Sequence, residues 1–178
     1  MSEQTPAPDT AKRAGRGMLW LGWIGALAFG TYVFSGAIER QHNPNQTLSG
    51  ERGEGSAEVA LQRNRFGHYV ALGEINQATV QFMLDTGATT IAVPGELAQT
   101  LGLKRGPPIQ VQTANGTARA YLTVLDEVRL GPIVMRDLRA TITPGMDGND
   151  VLLGMNFLKH LELTQRGDVL TLKQHADP

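Results

Sequence analysis

The sequence predicts an all-β domain standing behind an apolar N-terminal segment. From residue 57 onward, short alternating or apolar runs recur, each closed by Gly, Pro, Asn or Asp, which is the pattern of strands joined by tight turns. Twenty-one glycines against five Phe, two Trp and three Tyr fit a chain that turns often. Helical spacing in that region is confined to two brief stretches.

Taken in order, residues 1–17 are rich in Pro, Ala, Ser and Gly, carry Lys12, Arg13 and Arg16, and lack periodicity, so they read as a disordered cytoplasmic tail. Residues 18–38, "MLWLGWIGALAFGTYVFSGAI", contain no charged residue over a length that crosses a bilayer as a helix. The basic residues before this run put the N-terminus in the cytoplasm by the positive-inside rule. The expectation is a single-pass anchor in the inner membrane with the C-terminal domain in the periplasm. A cleaved signal peptide is the rival, since "SGA" at 35–37 offers small residues to a peptidase; the apolar run exceeds a signal's core, which favours the anchor. Residues 39–56 are polar and rich in Gly, Asn and Ser, and read as a linker.

The folded domain is expected over 57–175. Its strand candidates are "EVALQ", "HYVALGEI", "ATVQFML", "TIAV", "IQVQTA", "TARAYLTVL", "EVRL", "IVMRDLRATI", "DVLL", "LEL" and "DVLTL". The helical stretches are "GELAQTLG", after Pro94 and stopped by Gly102, and "MNFLKH", after Gly154. Each follows an apolar strand and a Gly-containing turn, so the domain reads as two similar halves, a weak internal duplication.

Composition removes several function classes. A formal net charge of −1 lacks the basic excess that a phosphate backbone demands, so no nucleic-acid partner is expected. The absence of cysteine excludes disulfides, thiolate metal sites and a thiol nucleophile. His42, His68, His160 and His175 lack ligand spacing, and "MDGND" at 146–150 lacks the alternating ligands of a calcium loop, so no metal is expected. "RGD" at 166–168 reads as a hairpin turn, and no Gly-rich phosphate loop or Ser/His arrangement appears.

The stretch "VQFMLDTGATTIAV", residues 80–93, sets one ionisable residue, Asp85, between two apolar runs. That pattern predicts a carboxylate at a strand end in a buried turn, a costly placement unless it has a task. The plain alternative is a turn-capping Asp bonded to the amide two residues on. Thr86 and Gly87 share its fate. In "IQVQTANGTARAYL", residues 109–122, Asn115-Gly116 between alternating strands predicts a type I′ hairpin with a small, polar tip at Thr113, Ala114, Asn115 and Gly116. "DVLLGMNFL", residues 150–158, reads as an apolar strand, a Gly and a short helix.

Asp85-Thr86-Gly87-Ala88 with its apolar flanks, the hairpin some thirty residues on, and "VLLG" before a short helix together resemble the retropepsin-like aspartic proteases, above all the bacterial membrane-anchored, single-domain type. The resemblance covers about residues 57–173. It implies a closed β-barrel with one or two short helices and an aspartic endopeptidase that needs no cofactor. Two carboxylates about 3 Å apart share one proton, so that one activates water while the other protonates the carbonyl oxygen. One Asp-Thr-Gly per chain then implies a homodimer with Asp85 from each copy at the two-fold axis. Thr86, Gly87 and Ala88 would support the catalytic loop, and residues 113–116 would form the flap over a peptide or protein substrate. The chain departs from the viral pattern: Met155 stands where an Arg is usual, and Thr89-Thr90 where an acidic pair is usual. Rivals to this reading are a catalytically silent peptide-binding module of the cell envelope and a protein that cleaves only its own linker.

Overall fold

Alternation of apolar and polar residues decides most of the architecture. The computed structural model describes residues 10–53, 55–113 and 116–175, with the side chains at 10–18, 21 and 37 outside the description. It divides into two compact units, Met1–Glu39 and Arg40–Pro178.

The first unit is the bulk of helix α1, Thr10–His42. Leu19, Trp20, Trp23, Ile24, Leu27, Phe29, Tyr32, Val33, Phe34 and Ile38 are all exposed on it. Among the described residues no helix is long and apolar enough to cross a membrane, so the span expected at 18–38 is carried by the sequence alone.

The second unit holds two sheets. In the smaller, the order is β1 (Gly50–Gly53), β2 (Ser56–Gln62), β11 (Val169–His175), β10 (Glu162–Arg166), all antiparallel. β2 shows the period-2 rule plainly: Ala57, Val59 and Leu61 are buried, while Glu58, Ala60 and Gln62 face out. The larger sheet runs β3 (Val70–Ile75), β4 (Ala78–Leu84), β9 (Asp150–Leu153), β5 (Ile91–Pro94), β8 (Ile133–Thr143), β7 (Gly116–Leu130), β6 (Pro108–Thr113). β3 also pairs β7 at Glu74–Arg129 and Ile75–Val128, which joins one end of that run to its next-to-last strand. Helices α2 (Gly95–Thr100) and α3 (Met155–Leu158) stand where the helical spacing put them. Phe82, Phe157, Leu61, Ile91, Leu125 and Leu153 are among the side chains fully removed from water, each worth about 1.5–3 kcal/mol of burial.

Three local results differ from the sequence expectations. "TARAYLTVL" and "EVRL" form one strand, β7, because Asp126 sits on an exposed face and need not break the ladder. Opposite it, Asp137 has φ 54, and the buried positions of β7 change from Thr123 and Leu125 to Val128 and Leu130, while the pairing with β8 keeps one register on both sides of Asp126. Near that change, hydrogen bonds first from Arg129 and then from Arg136 hold the Glu127 carboxyl below its ordinary range.

The second difference is at the hairpin. A turn centred on Asn115-Gly116 would leave Gly116 out of the ladder, yet Thr113 pairs with Gly116, whose φ of 103 suits only glycine. The Thr113 hydroxyl donates to the Gly116 carbonyl at 2.7 Å. Ala114 and Asn115 lie outside the described residues.

The third concerns the stretch 39–56 expected as a linker, much of which is built into the second unit. β1 pairs β2, and Asn43 and Asn45 are buried. Asn45 Nδ2 donates to the carbonyls of Gln62 (2.8 Å) and Val70 (2.7 Å), and its Oδ1 accepts from Gln62 N at 2.7 Å. Asn43 Oδ1 accepts from Asn45 N, and Asn43 Nδ2 donates to Gln81 Oε1. No hydrophobic periodicity marks this segment because buried amides, joined by Leu48 packed on the core, hold it. Asn45→Ala would leave Gln62 N–H and two carbonyls without these partners. It should lower the unfolding free energy of residues 40–178 by about 2–4 kcal/mol, read from a denaturant titration.

Candidate active site

The site begins with a register. β4 and β9 pair in parallel, Gln81 with Asp150 through Leu84 with Leu153, so both strands end at the same level. The next residues, Asp85 on one chain segment and Gly154 on the other, therefore leave side by side. Asp85 N–H donates to Leu153 C=O at 3.2 Å, continuing the ladder one step past the strands.

From there the loop turns tightly. Ala88 N–H donates to Asp85 C=O at 3.2 Å, and Gly87 N–H donates to Asp85 Oδ1 at 2.8 Å. A methyl group on Gly87 would stand 3.1 Å from that same oxygen, which is why the position suits glycine. The carboxylate bond two residues on is the one a turn-capping Asp makes, so the loop has this structural use of Asp85 whatever else the group does. Asp85 is half-buried, while Thr86 and Gly87 are exposed. The turn expected to be buried is thus only partly so in a single chain, because it projects past the ends of β4 and β9.

The underside of the loop is seated on "GMN". Met155 N–H donates to Ala88 C=O at 2.8 Å and Asn156 N–H to Thr89 C=O at 3.1 Å. The Asn156 side chain accepts from Ile91 N–H at 3.0 Å and donates to Arg139 C=O at 2.6 Å, tying the start of β5 to β8. Gly154 lies so close beneath that a Cβ would come within 2.5 Å of Thr90 O and 2.8 Å of Ala88 O. Sequence reasoning read this segment as an apolar strand, a Gly and a short helix and assigned none of its residues to the site; it missed Asn156. The only signal available was an Asn two residues after the Gly that ends an apolar strand.

In the hairpin formed by β6 and β7, β6 alternates between exposed and half-buried along most of its length. The Thr117 hydroxyl donates to Gln112 Oε1 at 3.2 Å across it. Among the expected site residues, then, the structure groups Asp85, Thr86, Gly87 and Ala88 in one loop, and places Thr113 and Gly116 at a hairpin end.

Fold and loop define a domain of the single-lobed aspartic-protease kind, with one Asp-Thr-Gly turn seated on a strand-Gly-helix segment. The family model described as "gag-polyprotein putative aspartyl protease" matches residues 71–160. The crystal structure of a retropepsin-like aspartic protease from Rickettsia conorii is 31% identical, with a TM-score of 0.58 over 73% of this chain and 97% of that one. An uncharacterized protein in the cobV 5′ region of a Sinorhizobium species is 34% identical over 149 residues, 82% of this chain and 62% of its own length. An uncharacterized protein of Rickettsia prowazekii is 30% identical over 109 residues, 59% of this chain and 46% of its own. The chain therefore spans less than two thirds of those two curated relatives. It belongs to the retropepsin-like aspartic protease family.

Gly154→Ala tests the seat of the loop. Backbone carbonyls cannot swing aside as side-chain tips do, so the added methyl must lift residues 88–90. The variant should lose about 1–3 kcal/mol of stability, and the amides of Met155 and Asn156 should exchange with deuterium faster than in the parent.

Proposed function

We propose that this protein is a membrane-anchored periplasmic aspartic endopeptidase, active as a homodimer in which two Asp85 carboxylates activate one water for peptide-bond hydrolysis. The observation that carries the proposal is the Asp85 loop itself, a carboxylate fixed by Gly87 N–H on a rigid seat of Gly154 and Asn156. Such fixing is what a general base requires, since its geometry must be set before substrate arrives. Thr86, Gly87 and Ala88 support the loop; residues 113–116 act as the flap, closing on an extended peptide and excluding water. The larger sheet serves as a closed β-barrel sealed where β3 meets β7.

The N-terminal part of the proposal assigns residues 1–17 to a cytoplasmic tail, 18–38 to the inner-membrane span, and the rest to the periplasm. Support comes from the helix being apolar around its exposed surface, which in water would be costly and in lipid is not. Among the described residues its Thr31 and Ser35 hydroxyls already bond within the helix, Thr31 to Leu27 C=O at 2.8 Å and Ser35 to Tyr32 C=O at 3.0 Å, so neither demands water.

Asp85→Asn keeps an oxygen for the Gly87 amide while removing the base. It should leave the melting temperature close to the parent's and lower kcat/KM by at least about 10²–10⁴-fold on a peptide library, measured side by side. Turnover within tenfold of the parent would place the chemistry elsewhere.

Assembly offers a second test. If each site needs Asp85 from two chains, the specific activity of residues 40–178 should fall on dilution as dimers dissociate, while full-length protein in vesicles should hold its activity, because confinement raises its effective concentration. Unchanged specific activity across a dilution series, with only monomer in the ultracentrifuge, would exclude the dimer.

A further inference from the structure

The loop after β2, residues 63–68, has no part in the site above, yet it holds a large aromatic side chain out to solvent. Phe66 is 61% exposed. This is no slack loop: Asn64 is buried, and its Oδ1 accepts from the amides of Phe66 (3.0 Å) and His68 (2.9 Å). Asn64 N–H donates to His68 C=O at 2.8 Å, and Gly67 N–H to Asn64 C=O at 3.0 Å, with Gly67 at φ 88. A hydrogen-bonded frame therefore keeps the Phe66 ring outward, against its hydrophobic preference.

The loop is fastened to the last turn of α1. Asn64 Nδ2 donates to His42 C=O at 2.9 Å, Arg65 donates to Gln41 Oε1 at 2.6 Å, and the His42 and Phe66 rings meet edge-on with centroids 6.4 Å apart. The Arg65 guanidinium lies 5.2 Å from the Phe66 ring centroid. Arg63 is neutralised by Asp168, but among the described residues Arg65 and Arg40 form no ion pair. Beside them opens a polar cleft of about 360 Å³, lined by Arg63, Asn64, Arg65, Gly67 and Asp168.

We propose that this loop, with residues 40–42, docks on the anionic phospholipid headgroups of the membrane that residues 18–38 span. The inference rests on the anchor put forward above. Gln41 and His42 follow Ile38 by three and four residues, about 6 Å along a helix, and the headgroup layer is itself roughly 5–8 Å deep on each side. Whatever touches His42 is thus delivered to the headgroups by chain connectivity. An aromatic ring beside an unpaired guanidinium is the chemistry that layer takes, the ring at its depth and the guanidinium on its phosphates. Docking at a second point beside the anchor would stop the domain from swivelling about it.

The test uses full-length protein carrying Trp20→Phe, Trp23→Phe and Phe66→Trp, which leaves the indole at position 66 as the sole tryptophan. The protein is reconstituted in vesicles of phosphatidylglycerol with phosphatidylethanolamine, or of phosphatidylcholine alone. Flotation with the vesicles reads the anchor; blue-shifted emission and quenching by brominated lipid read the docking. We expect both in the anionic vesicles, weaker quenching in phosphatidylcholine, and about a fivefold loss of the docked population on Arg65→Gln. Flotation with solvent-like indole emission in every vesicle overturns the docking, in favour of a protein contact for this loop, while the anchor stands. Equal quenching in both lipids overturns the anionic preference. Failure to float overturns the anchor and this inference with it.

Discussion

The close approach of two backbones at Gly154 is the constraint on which the site depends. Parallel pairing of β4 with β9 brings two chain segments to the same edge at the same level, and neither continues as a strand. One must pass under the other. With the Ala88 and Thr90 carbonyls 2.5–2.8 Å from where a Cβ would be, only glycine lets them do so. The hydrogen bonds from Met155 and Asn156 to that loop follow from this proximity and would be lost at any greater separation.

Every tie that fixes the loop from below is neutral: the acceptors are backbone carbonyls and one side-chain amide oxygen, the donors backbone N–H groups and one side-chain amide. Within Asp85-Thr86-Gly87-Ala88-Thr89-Thr90, Asp85 is the sole residue with an ionisable side chain. The ties from below therefore involve no charged side chain. Met155 and Thr89-Thr90 bring no charge to this region, and Asn156 supplies a tie that costs less to desolvate than a charge pair.

How much of this was legible in the sequence divides along physical lines. Strands with one buried face announced themselves by alternation, β2 being the clearest, and the two short helices by their position after Pro94 and Gly154. The Asp85 loop was legible because a lone acid between apolar runs is costly unless it is used. The segment 43–53 was not, because Asn43 and Asn45 look like solvent-loving turn residues until their amides are seen to bond Gln81, Gln62 and Val70. Hydropathy records what a side chain prefers in water and is silent on partners supplied by strands far along the chain. The same blindness hid Asn156, and it read Asp126 as a strand break when its exposed face made it harmless.

The buried asparagines also fix the start of the second unit. The stretch 39–56 is not slack throughout, since Asn43 and Asn45 are buried within the second unit. His42 Nε2 lies 3.2 Å from Asp150 Oδ2, and Gln81 Nε2 donates to Asp150 Oδ1 at 2.7 Å. Asp150 opens β9, and β9 ends at the carbonyl that receives Asp85 N–H. The residues that follow the apolar segment are thus joined by one side-chain network to the strand beneath the candidate catalytic loop. Residues 40–45 therefore cannot serve as a slack spacer.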